Sequence, residues 1–177
     1  MDYKEILAQS VQHINYRTLF DSVSASKKDF LIVFDLMWDT HEKVAWHAGW
    51  ICEKVSEKKP SFFTKKHIQR IIELSTTTPF TGLQRLLLSM VLNLPMPTQF
   101  PVEFIDTCFE RMISMKSPTA VQVLSMKILY EIVKKEPDFL CEFKAYLESV
   151  EVEYYTVGYK SARNKILNNL NNKTLKK

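Results

Sequence analysis

The chain has 177 residues, 46% hydrophobic and 25% charged, the composition of a globular protein with one real core rather than of a disordered chain. Only three glycines occur, which argues against a glycine-rich phosphate loop and against an all-β fold with many tight turns. The net charge of +4 is uneven: the segment from Tyr154 to Lys177 holds six of the 24 basic residues and none of the 20 acids, which suits a solvated helix end or an anionic partner.

The elements predicted from the pattern are all helical. Residues 2–14, and with them residues 16–24, read as one or two helices ahead of the first pair. Neither contains the apolar core of a secretion signal. Ser26 and Thr40 are placed to cap the helices that follow. Four helices then carry apolar stripes: Phe30, Val33, Phe34 and Met37; Ile68, Ile71 and Ile72; Ile105, Cys108, Phe109 and Met112; Phe143, Tyr146, Leu147 and Val150. Pro60, Pro79, Pro101, Pro118 and Pro137 mark helix starts, where a missing N–H costs nothing, and Pro95-Met96-Pro97 breaks the chain. No apolar run approaches the roughly 18 residues of a membrane span. Cys52, Cys108 and Cys141 are odd in number and far apart, so they read as reduced thiols of a cytoplasmic protein.

Between those helices lies a repeat. Residues 44–60 (VAWHAGWICEKVSEKKP) align without a gap on residues 121–137 (VQVLSMKILYEIVKKEP). Further copies begin at Leu83 and Tyr159, so the four starts are 39, 38 and 38 residues apart. That period fits a helix pair with two turns. Its columns assign the core: Ile51, Met90, Ile128 and Ile166; Cys52, Val91, Leu129 and Leu167; Val55, Leu94, Ile132 and Leu170.

With its small residues Ala45, Ala48 and Gly49, the segment HEKVAWHAGWICEKV resembles the second helix of a HEAT repeat. The likeness extends over about residues 27 to 173 and includes armadillo-like relatives and short bacterial HEAT-like proteins. The implied fold is all-α, a right-handed α-α superhelix (HEAT-like solenoid) of about four helix pairs. On this reading residues 1–177 form a single domain: 1–25 cap helices, 26–173 the four pairs, 174–177 a basic tail.

No motif carries chemistry, so no catalytic residue, metal ligand or cofactor is expected. His41 and His47 stand six apart, about 240° around a helix, and cannot share a metal as two histidines four apart would. His47 shares a column with Leu86, Leu124 and Ala162 and reads as a core histidine. Two columns change class instead: Trp46, Arg85, Val123 and Ser161, then Trp50, Ser89, Lys127 and Lys165. In HEAT-like folds second helices line the concave surface, so Trp46, Trp50, Arg85, Lys127 and Lys165 are the expected groove residues. Their types suit a protein or peptide partner. A nucleic acid is the competing partner, with rings stacking on bases and cations on phosphates. In that case the chain is similar, in fold and composition, to HEAT-like alkylpurine DNA glycosylases. Both tryptophans also suit packing beneath the cap. A second basic cluster, Lys58, Lys59, Lys65, Lys66 and Arg70, straddles a turn and reads as a solvated rim.

Overall fold

The computed structural model describes residues 2–174, so residues 175–177 of the expected basic tail lie outside the described residues. Contacts divide the chain into two compact units, Met1–Gln99 and Phe100–Lys177, with the proline-rich stretch near the boundary.

The first unit begins with α1 (Tyr3–Ala8), capped by the Asp2 carboxylate, which accepts from Glu5 N–H at 3.1 Å. The helix expected over residues 2–14 stops here. Gln9 and Ser10 are extended, and a 3-10 turn, Val11–His13, delivers Ile14 to the core while leaving Val11 exposed. α2 (Tyr16–Ala25) follows, capped by Asn15. α3 (Lys27–Asp35) is capped by Ser26, whose Oγ accepts from Asp29 N–H at 3.2 Å, and runs on into a 3-10 turn, Leu36–Trp38. α4 (Glu42–Lys58) is the long helix of the unit. Thr40 does not cap it: the N-cap position is His41, and the preceding turn is closed by Asp39, whose carboxylate accepts from His41 N–H at 2.9 Å. α5 (Lys65–Thr77) starts after a 3-10 turn, Pro60–Phe62, and α6 (Thr81–Asn93) completes the unit.

The second unit holds α7 (Val102–Ile113), α8 (Thr119–Val133), α9 (Leu140–Ser149) and α10 (Val157–Thr174). Pro101 and Pro118 stand at the N-cap positions of α7 and α8. Pro137 opens a 3-10 turn that leads into α9. Packing is pairwise and local. α3 lies on α4, α5 on α6, α7 on α8, and α9 on α8 and α10; α4 lies against α6, and α8 against α10. α1 and α2 both pack on α4.

The repeat columns are the core. Ile51, Met90 and Ile128 are fully buried and Ile166 nearly so. Val55, Leu94, Ile132 and Leu170 are all buried, as are Cys52, Val91 and Leu129, and only Leu167 is half-exposed. The exception is physical: Leu167 lies on α10 beside the exposed Asn164, Lys165, Asn168 and Asn171, at the edge of a polar stripe.

Polar side chains close helix ends that the backbone leaves open. Gln84 Nε2 donates to Thr78 O and Gln122 Nε2 to Ser114 O, each at 2.8 Å. Tyr155 Oη donates to Ile113 O at 2.5 Å, and Arg163 Nε to Leu147 O at 2.6 Å. No described residue has a positive φ, so α1 to α9 leave their last turns through ordinary right-handed or extended backbone.

Candidate binding cleft

Trp46 and Trp50 stand one turn apart on α4, and Gly82 and Arg85 nearly one turn apart on α6, the helix packed beside it. Gly82 sets the fit. A Cβ built there would lie 2.9 Å from Trp46 Cδ1 and 3.0 Å from its Nε1, so only glycine lets the indole rest on the first turn of α6. Trp46 also meets the His47 ring, with centroids 5.1 Å apart.

The result is a cleft of about 490 Å³. Its walls are Trp46 and the exposed Val11, with Gln9, Ser10, Glu42 and Lys43 at the rim and Gly82 at the base. The indole N–H has no hydrogen bond within the described residues. It is therefore an available donor beside an apolar wall. The combination accommodates a short apolar side chain with a carbonyl next to it.

Trp50 is differently placed. Its ring meets Tyr16 of α2 edge-on at 4.6 Å, so this half-buried tryptophan packs against α2. Trp46 is also half-buried, beside the segment that follows α1. His47 is a core residue, 2% exposed. Its Nδ1–H donates to Leu7 O at 2.6 Å, a carbonyl left free because α1 ends one residue later.

Below the tryptophans the α4–α6 seam is polar, which the sequence pattern did not reveal. Glu53, 7% exposed, accepts from Ser89 Oγ at 2.9 Å and pairs with Lys54 Nζ at 3.1 Å. One turn on, Asn93 Nδ2 donates to Ser56 Oγ at 3.0 Å. These bonds fix the register of the two helices that form the cleft.

Arg85 is half-buried and has no carboxylate partner among the described residues. The remaining two expected residues, Lys127 on α8 and Lys165 on α10, belong to the second unit and are exposed on helices that pack together. Glu131, one turn beyond Lys127, pairs with Lys134 instead, so Lys127 keeps its charge uncompensated among the described residues. No cluster of three His, Cys, Asp or Glu able to hold a metal occurs among the described residues. No helix there is long and apolar enough to cross a membrane.

The family model for the HEAT repeat domain matches residues 3–170, nearly the whole chain. The chain belongs to the HEAT repeat family. Its fold class is the all-α helical solenoid, and its coarse character is that of a helical repeat scaffold. Comparison with curated proteins and with solved structures returned no match.

Proposed function

We propose that this HEAT repeat chain is a non-enzymatic interaction module that holds a peptide segment of a protein partner, with Trp46 as the anchor. The observation that carries this reading is the Trp46 cleft: an apolar wall and a free indole donor, made possible by Gly82 and held in register by the Glu53–Ser89 bond. Arg85 supplies a cation on the same helix as Gly82, and Trp50 lies one turn along α4 from Trp46, against Tyr16. Tryptophan and arginine are the residue types that dominate binding energy at protein interfaces.

A display selection of peptides against the purified chain tests it. Selected peptides carry a central apolar residue, and both Trp46→Ala and Gly82→Val weaken them about tenfold or more. Selected peptides indifferent to both variants would exclude the cleft.

Arg85, Lys127 and Lys165, none of which has an ion pair among the described residues, favour a second reading, a nucleic-acid-binding HEAT protein. It requires binding to labelled single- or double-stranded DNA that falls steeply with salt and with Arg85→Ala and Lys127→Ala. Absence of binding at low salt removes it.

A further inference from the structure

The first helices of the first two pairs, α3 and α5, carry a surface separate from the Trp46 cleft. α3 is apolar on two sides. Phe30, Val33 and Phe34 are fully buried, yet Leu31 and Ile32 are 38% and 44% exposed. Lys28, Leu31, Ile32 and Asp35 recur at i, i+3, i+4 and i+7. They form one stripe, which Trp38, 36% exposed, extends past the helix end. On α5, Arg70 lays its guanidinium over Trp38 at 4.1 Å and over Phe34 at 5.2 Å, and pairs with Asp35 at 2.8 Å. The guanidinium is thus held in place before any partner arrives, which reduces the ordering cost of binding.

The openings of the two helices are rich in cations, with Asp29 in the first turn of α3 the one acid there. Lys27 and Lys28 open α3, and Lys65 and Lys66 open α5. All four are exposed, and none has an ion pair among the described residues. Cations in a first turn oppose the helix dipole, so these lysines work against their own helices. The two openings are neighbours. Lys59 Nζ, from the turn before α5, donates to Ser24 O at the end of α2 at 2.8 Å. Phe30 meets the rings of Phe62 and Phe63 at 5.5 and 4.8 Å, and the charge of Lys27 is felt at His67. The lysines therefore bracket one end of the Leu31–Ile32–Trp38 stripe.

We infer that this face docks an amphipathic helix with an acidic flank, contributed by a protein partner. Its apolar side chains would cover Leu31, Ile32 and Trp38, and its carboxylates would meet Lys27, Lys28, Lys66 and Arg70. Two features select this occupant. A nucleic acid would engage the lysines and leave Leu31 and Ile32 bare. An anionic bilayer would have to bury the Asp35 carboxylate, which lies mid-stripe with 64% of its side chain exposed. A helix groove tolerates one carboxylate that already has its arginine.

The test titrates the full chain against a dye-labelled helical peptide of Glu–Leu heptads and against its Lys–Leu counterpart. A short DNA duplex and vesicles of phosphatidylcholine with phosphatidylserine form the other arms. The acidic peptide is expected to bind in the micromolar range and the basic one not to bind. Leu31→Ser with Ile32→Ser weakens the acidic peptide about tenfold or more. Lys27→Glu with Lys28→Glu weakens it and flattens its salt dependence. These positions are exposed, so the variants keep their far-ultraviolet circular dichroism, and Lys135→Glu in the second unit serves as the silent control. The inference is overturned if neither peptide binds, if both bind equally, or if the Leu31/Ile32 pair has no effect. It is equally overturned if only duplex or vesicles bind, or if sedimentation shows a dimer that the Leu31/Ile32 pair disperses.

Discussion

Gln84 and Gln122 stand 38 positions apart and form the same bond. Each is the fourth residue of its helix, and each donates its side-chain amide, at 2.8 Å, to the carbonyl that ends the helix before it. The repeat thus carries a lock between its two helices as well as an apolar period. Replacing either glutamine by leucine keeps volume and helix propensity but leaves a helix-end carbonyl without its donor. The expected loss is about 1–2 kcal/mol each by urea denaturation. Gln122, 4% exposed, is the costlier of the two. Unchanged midpoints for both variants would show that the bonds carry no net stability.

The bond between His47 and Leu7 ties the N-terminal segment to α4. His47→Ala removes the donor and opens a cavity beside Tyr16 and Trp46, whose rings both meet the imidazole. The expected cost is about 2–4 kcal/mol. Limited proteolysis should show faster cleavage between Gln9 and His13, where the chain already leaves α-helical geometry. A variant as stable and as protected as the parent would mean that the cap is held by Tyr3 and Leu7 alone.

A pH response is built into the start of α5. His67 Nδ1 accepts from Thr64 N–H at 3.2 Å while Thr64 Oγ1 accepts from His67 N–H at 3.3 Å, a capping box with histidine in the place usually held by glutamate or glutamine. Burial against Phe34 and Phe63, with the nearby charges of Arg70 and Lys27, holds the imidazole below its ordinary value. A histidine depressed in the folded state contributes its full stability above about pH 6.5, the unfolded value, and loses it as pH falls toward the folded one. Protonation also removes the acceptor that Thr64 uses. The protection factor of the Thr64 amide, its exchange rate relative to an unstructured amide at the same pH, should therefore fall on acidification through that window. His67→Gln should abolish that fall while keeping the box; its persistence in that variant would place the titrating group elsewhere.

The three thiols should separate cleanly. Cys141 is exposed, whereas Cys52 and Cys108 are fully buried. Burial pushes the Cys108 thiol up to about 12 and Cys52 upward as well, in the latter case with the Asp35 charge adding to it. Maleimide at neutral pH should label one site in the native chain and three in urea. Rapid native labelling of Cys52 would show that the α4 core opens readily.

Much of the fold was legible because its signal is redundant. Ile51, Met90, Ile128 and Ile166 repeat at a period near 38 and at helical spacing at once, and each of those periods checks the other. What stayed hidden depends on single residues or on which turns are neighbours. Gln84 and Gln122 look like solvent-facing polar residues until the preceding helix end is placed beside them. The break after Ala8 lies inside an amphipathic pattern that continues to Ile14, and Thr40 lost the cap position to His41 because Asp39 closes the turn first. At the candidate site, aromatic and basic types in two columns drew notice to Trp46 and Arg85. The role of Gly82 appears only when the indole is seated on it. Lys65 and Lys66 read as a solvated rim because nothing in the sequence puts Lys27 and Lys28 beside them.

The absence of left-handed backbone among the described residues has a practical side. Where a turn demands a positive φ, only glycine or asparagine serves, and such a position cannot be rewritten freely. Here the connections between helices carry no such demand. The Met115–Lys116 turn, exposed at both residues, is open to inserted sequence. A reporter or a recognition tag grafted there should leave the packed helices as they are, so the repeat is a scaffold whose joints accept new text.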